Sequence, residues 1–303
     1  MKLLYLLRKR LTRPLRSRLA SLVYPPGTQA GDFLQPTGEA ALMAADSISW
    51  RVFANPVAML VGGITAVLME LAEPRVRTGV WEHTTFREHP LPRLQRTGYA
   101  AMMTVFGPRS RAEAMIRRIN EAHVHIGGHT PAGTPYRATD AELLTWVHAT
   151  ATFGFLQAYA ACVHELTAAE RDRFYDENRS SALLYGVAVP PASEREFEAL
   201  LERMQPGLEP SAIMLEFLAI MARIELLPAP LRGMQSLLIR AAVQNLPGPI
   251  RGRLGLEGVN WRVRPWQWSL LRVIGRAAGR LDLSELPPTL ARQRLGVAAA
   301  GRT

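Results

Sequence analysis

The sequence predicts an all-α protein, a single helical domain of about ten helices. Three observations carry this expectation. Apolar residues make up 48% of the 303-residue chain and charged residues 20%, which supplies a core and excludes a disordered chain. Nearly every periodic stretch has the helical spacing, and β-branched alternation is scarce. Capping residues and prolines stand where these stretches begin and end.

From the N-terminus, residues 1–27 read as a basic amphipathic arm. Leu3, Leu4, Leu7, Leu11, Leu15 and Leu19 recur at near-helical spacing between arginines, with a break expected at Pro14, and Tyr24-Pro25-Pro26-Gly27 ends it. Residues 28–298 form the helical domain and 299–303 a tail. Val57 to Met69 is the longest apolar stretch, too short for a bilayer span of about 20 residues, and reads as a buried core helix. Gly62 and Gly63 within it would admit another backbone or a flat ligand. A helix follows Pro90 and Pro92, and Ser110 opens another over Arg111–Ile126. Asp140 opens Ala141–His164, and Thr167-Ala-Ala-Glu170 is a capping box for the next. Ser193 caps Glu194 to Met204, and Pro210, Pro228 and Pro230 punctuate two more that reach Asn245. Trp266–Gly279 and Pro288–Leu295 close the series. Gly127 to Ala138, with three glycines and two prolines, reads as an ordered loop.

The net charge of +10 is not a nucleic-acid signal. Lys2, Arg8, Lys9, Arg10, Arg13, Arg16 and Arg18 precede the first acid, Asp32, so the rest of the chain sums to +3. No basic stripe with interleaved aromatics marks the body, and no nucleic-acid partner is expected. The arm suits an anionic membrane surface, or a helix packed on its own domain. The single cysteine, Cys162, excludes a disulfide framework and a cysteine metal cluster, and suits a cytoplasmic protein, peripheral at the membrane where the arm binds it. Neither a phosphate-cradling loop nor a Gly-x-Ser-x-Gly elbow is present.

The chemistry-bearing residues fall into two groups. His123, His125 and His129 crowd the entrance to the 127–138 loop. Helical phase puts His123 on the apolar face with Ile116, Ile119 and Ile126, and His125 on the polar one. An inward histidine is either a ligand or a satisfied core residue, and both readings stay open. The same holds for His148, where the simpler alternative is a hydrogen bond to a loop carbonyl. On a helix, His-x-His side chains diverge by about 200°, which disfavours a non-haem metal centre from the cluster. Arg93, Arg96 and Thr97 share one side of a helix, facing either a salt bridge to Glu70, Glu73 or Glu82, or a bound ligand.

In order along the chain these pieces resemble a known family. Pro74, Gly79-Val80, Glu82-His83, Phe86, Pro90, Arg93 and Arg96-Thr97 resemble the first block of the MpaB/rubber-oxygenase catalytic domain, the family of the latex-clearing protein. His123-x-x-Ile126-x-Gly128 is similar to its histidine block, and Tyr136-x-Ala138 with Trp146-Val-His-Ala-Thr150 to the next. Phe174-Tyr175, Glu177, Gly186-Val187 and Glu196-Phe197 follow. The resemblance implies a globin-like core enclosing a haem b pocket, with dioxygen chemistry on a hydrophobic, isoprenoid or unsaturated lipid-like substrate. It implies His123 as axial iron ligand with His148 as runner-up, and Arg93, Arg96, Thr97 and Tyr136 around the haem. A carboxylate, Glu82 ahead of Glu73, is implied as base. Rubber-cleaving members carry a lysine at the position of Arg96. An arginine offers no lone pair to iron, so the resemblance extends less well to a rubber substrate. The alternatives are a haem carrier or sensor without turnover, and a non-haem metal protein using the histidine cluster.

Overall fold

A computed structural model describes residues 20–21, 23–227, 231–280 and 284–297. Most of the basic arm, and the tail, lie outside the described residues. Among these residues the chain is all-α, with thirteen α-helices and one small hairpin. In order they are α1 (Ile48–Phe53), α2 (Pro56–Ala72), α3 (Pro74–His83), α4 (Pro90–Phe106), α5 (Arg109–His123), β1 (Gly127–His129), β2 (Pro135–Arg137), α6 (Ala141–Cys162), α7 (Ala168–Leu184), α8 (Glu194–Met204), α9 (Ala212–Arg223), α10 (Arg232–Gln244), α11 (Gly248–Arg253), α12 (Pro265–Ala278) and α13 (Pro287–Leu295). The expected helices are present, and short ones such as α1, α3 and α11 add to them. Six residues of α1 are too few for a periodic signal.

Local chemistry explains most boundaries. Asn55 caps α2 by accepting from the Val57 and Ala58 amides, with Pro56 in the first turn. Glu73 holds extended backbone before Pro74, which ends α2 and starts α3 at a 109° bend. Its buried carboxylate caps α3 at the Val76 amide, 2.8 Å away. The Thr167–Glu170 capping box forms as expected, and Ser193 caps α8. Ser110 does not cap α5; Pro108 stands there, and the Ser110 amide donates to Glu39. No single helix among the described residues is long and apolar enough to cross a membrane.

The expected loop at 127–138 is a β-hairpin instead. Gly127 pairs with Arg137, Gly128 with Tyr136 and His129 with Pro135. Gly133 takes a φ of 83° in the turn, which only glycine adopts without strain. Glycine and proline content argues against strands, but the buried Tyr136 anchors the pairing to α3.

Helices α2 and α6 form the antiparallel centre. Gly62 meets α6 so closely that a Cβ there would lie 2.7 Å from Phe155 Cα and 2.9 Å from the Gly154 carbonyl oxygen. Trp146 Nε1 donates to the Met69 carbonyl at 3.3 Å, and Thr65 ties α10 on through the Ala242 carbonyl at 3.0 Å. Gly62→Ala should therefore cost about 3 kcal/mol, because backbone has to move. Gly63→Ala should be near neutral, since its Cβ would meet only Phe155 Cε1 at 3.9 Å. Chemical denaturation of both variants measures the contrast.

Candidate functional site

The close antiparallel pair leaves one side open. With Trp146 beside Met69 and Gly154 beside Gly62, His148 lies level with Val67. On α2, Gly63, Val67 and Glu70 keep accessible surface; on α6, Leu144, Val147, His148, Ala151 and Phe155 do so. Each set recurs at spacings of three and four, so each is one face of its helix. Half-exposed stripes on the two central helices therefore share one open side.

The titratable groups there are poorly hydrated. Burial pushes the Glu70 carboxyl up to about 7, against the opposing pull of the Arg93 guanidinium. Burial pushes the His148 imidazole down to about 4. Both groups keep some accessible surface while neighbouring atoms exclude most of the water around them. Arg93, on α4, is itself lowered by burial and by Arg96, while Glu70 raises it. His123, half-buried at the end of α5, is lowered by burial first and by Arg93 second. Glu70, Arg93 and His123 thus form one electrostatic group drawn from three helices.

Glu70 and Arg93 face each other without forming a contact ion pair, and no hydrogen bond satisfies the Glu70 carboxylate among the described residues. The arginine is held instead by its own helix. Its Nη1 donates to Thr97 Oγ1, and the Thr97 hydroxyl donates to the Arg93 carbonyl at 3.0 Å. Thr97 therefore positions Arg93, with its proton already committed. Arg96 is exposed.

The other sequence candidates lie elsewhere or act differently. Tyr136 places its hydroxyl 3.2 Å from His83 Nε2 and 3.5 Å from Glu82 Oε2, joining the hairpin to α3. Neither Tyr136 nor the exposed Glu82 hydrogen-bonds to Arg93 or His123. Glu73 is taken up by the α3 cap and by Arg75 at 2.6 Å. His148 Nε2 lies 3.4 Å from Thr152 Oγ1, one turn on in its own helix rather than beside a loop carbonyl. His125 and His129 are exposed, and among the described residues no three His, Cys, Asp or Glu side chains converge as metal ligands. Burial pushes the Cys162 thiol up to about 12, far from a thiolate ligand. Glu70 is the group that sequence reasoning passed over as a functional carboxylate. Its signal was the 63–67–70 spacing, which puts it on the open face of α2.

A haem fits these residues in kind. A neutral imidazole at His123 keeps a lone pair for iron. Gly63 leaves room on its face of α2, where an added Cβ would meet only Phe155 Cε1 at 3.9 Å, and the exposed Arg96 makes no ion pair among the described residues and is available to a propionate.

Comparison with known proteins agrees with the sequence resemblance. Residues 50–280 match the family described as "ER-bound oxygenase mpaB/B'/Rubber oxygenase, catalytic domain". An uncharacterized protein of Mycobacterium tuberculosis and one of Mycobacterium bovis are each 26% identical over 173 residues, covering 55% of this chain and 68% of theirs. No solved structure shows significant similarity to the chain.

Proposed function

From the premise that the chain belongs to the MpaB/rubber-oxygenase catalytic-domain family, and so is an oxygenase, we propose a haem b-dependent enzyme that uses dioxygen on a hydrophobic, unsaturated substrate of isoprenoid or lipid type. The observation that supports this most is the Glu70–Arg93–His123 group, assembled from three helices and desolvated. Haem b, when bound, supplies the redox chemistry that activates dioxygen. His123 would hold it through a neutral imidazole, with His148 on the α6 wall of the site.

The remaining steps belong to the side chains. Arg93, fixed by Thr97, offers a preorganised positive charge to anionic character that develops in the site. Glu70, with its carboxyl near 7, would take an allylic proton as the C–H electron pair passes to dioxygen, the oxidant, and would become a neutral acid. The apolar walls, Val67, Leu144, Val147 and Phe155, favour a hydrocarbon and exclude water. Arg96, charged and without a lone pair, would not serve as a ligand to the iron.

The test is the absorption spectrum of the purified chain together with oxygen consumption on unsaturated polyprenyl or lipid substrates. A Soret band at one haem per chain with substrate-dependent oxygen uptake is expected. A Soret band without uptake favours a carrier or sensor, and a colourless protein after haem supply ends the reading. Arg93→Ala should retain haem and lose turnover on the order of 10²-fold. Because Arg93 lowers the Glu70 carboxyl, its loss should also move the pH–rate profile to higher pH. Unchanged turnover with a lower melting temperature would make Arg93 a structural residue.

A further inference from the structure

Helix α12 has two faces of different chemistry. Its inner face, Leu271, Gly275 and Ala278, is buried. A Cβ at Gly275 would lie 2.1 Å from the Cys162 carbonyl oxygen, and the Gly275 carbonyl accepts from Asn55 Nδ2 at 2.8 Å. The helix is therefore firmly seated against the end of α6, and its outer face stays in solvent. That face carries Trp266, Leu270, Val273 and Ala277, at spacings of four, three and four, as one continuous ridge. Trp266 is 59% exposed, Leu270 40% and Val273 64%.

Arg272 and Arg276 lie between the inner face and the ridge, on the side of α6, and Arg280 follows the end of the helix; all three are exposed. The Nε atoms of Arg272 and Arg276 donate to the Ala161 and Val163 carbonyls at 3.2 and 3.1 Å. These bonds fix the two guanidinium groups along the helix, and no described residue bonds to their outer nitrogens. No described carboxylate forms an ion pair with any of the three. From Gly258 to Arg280 the chain has five arginines and no acid. Single exposed apolar residues are ordinary on a protein surface. A tryptophan-led ridge flanked by unpaired cations of one sign is the pattern of an interfacial helix. Three large side chains fall well short of the ~800 Å² per partner that a stable protein interface takes, whereas a bilayer needs no such area.

We propose that the outer face of α12 docks on an anionic lipid bilayer, with the Trp266–Leu270–Val273 ridge at the acyl boundary and Arg272, Arg276 and Arg280 among the phosphate headgroups. The proposal does not depend on the haem reading. The test uses the full chain in co-sedimentation with phosphatidylserine-containing and pure phosphatidylcholine vesicles, and quenching of tryptophan fluorescence by acyl-brominated lipid. Salt-sensitive binding to the anionic vesicles alone is expected. W266S/V273S should weaken it at least tenfold. R272Q/R276Q should weaken it about 25-fold, roughly fivefold per arginine. W266S/V273S should melt where the parent does, and R272Q/R276Q, which gives up the bonds to the Ala161 and Val163 carbonyls, should melt slightly lower but cooperatively. W266F should keep binding and lose most of the bromine quenching. Parent-like binding by either double variant would place the contact elsewhere, as on the basic arm, and overturn the proposal. So would equal binding to neutral vesicles, or unchanged quenching in W266F. If W266S/V273S instead abolished a self-association seen in sedimentation, the face would be a contact between copies and the lipid proposal would fall.

Discussion

His123→Ala is expected to purify without haem, whereas His125→Ala and His148→Ala retain it at one per chain. The expectation follows from placement and protonation together. His123 ends α5 half-buried within the field of Arg93, and burial and that neighbouring cation both favour the neutral ring. Haem iron requires such a lone pair, and removal of the ring leaves nothing of equal basicity on α5 facing the site. His125, two residues on, is exposed. His148 is neutral too, but it stands in the middle of α6 beside Thr152, where it shapes the wall. Pyridine haemochrome titration of the three variants decides. Haem loss in His148→Ala alone would transfer the ligand role, and equal occupancy in all three would remove it from both residues. The depressed His123 basicity also sets a direction with pH: haem release should begin only below the ordinary histidine range near 6.5, as the ring at last protonates.

How much of this was legible in the sequence depends on the range of the interaction. The Thr167–Glu170 capping box, the α2 core helix and the inward phase of His123 are local properties, visible in a few residues of pattern. The hairpin was not, because three glycines and two prolines carry no alternation. Its pairing is held by Tyr136 packing on Gly79, which is distant in sequence. Glu82 and Glu70 show the same limit in the site. Glu82 stands in the same sequence block as Arg93, yet α3, which leaves α2 through a 109° bend, delivers it to Tyr136. Glu70 closes an apolar run and reads as a polar helix end. Its role arises only when α4 brings Arg93 opposite the open face of α2. Chain order within a motif is no guide to distance in the fold.

Glu70→Gln should abolish most turnover while making the protein more stable at alkaline pH, a pairing that a structural residue would not show. Loss of a positioned general base typically costs 10²–10⁴-fold, and Gln cannot accept the proton. The stability arm follows from the raised carboxyl. In the unfolded chain the group titrates near 4.5; in the fold it titrates at about 7. Between these values the native state holds a proton that the unfolded chain has released. Its stabilising contribution is therefore complete below pH 4.5 and is lost as pH rises through 7. Above that, the fold carries a desolvated charge that costs up to roughly 3 kcal/mol, less whatever the accessible surface of Glu70 returns through hydration. A neutral amide removes this cost. The haem-free variant should thus melt several degrees higher than the parent well above pH 7, and at the same temperature below pH 4.5. Glu82→Gln, on an exposed side chain outside the site, should change neither activity nor the pH dependence of melting. Retained turnover in Glu70→Gln, or a melting gain independent of pH, would show that the carboxylate is neither the base nor a buried charge.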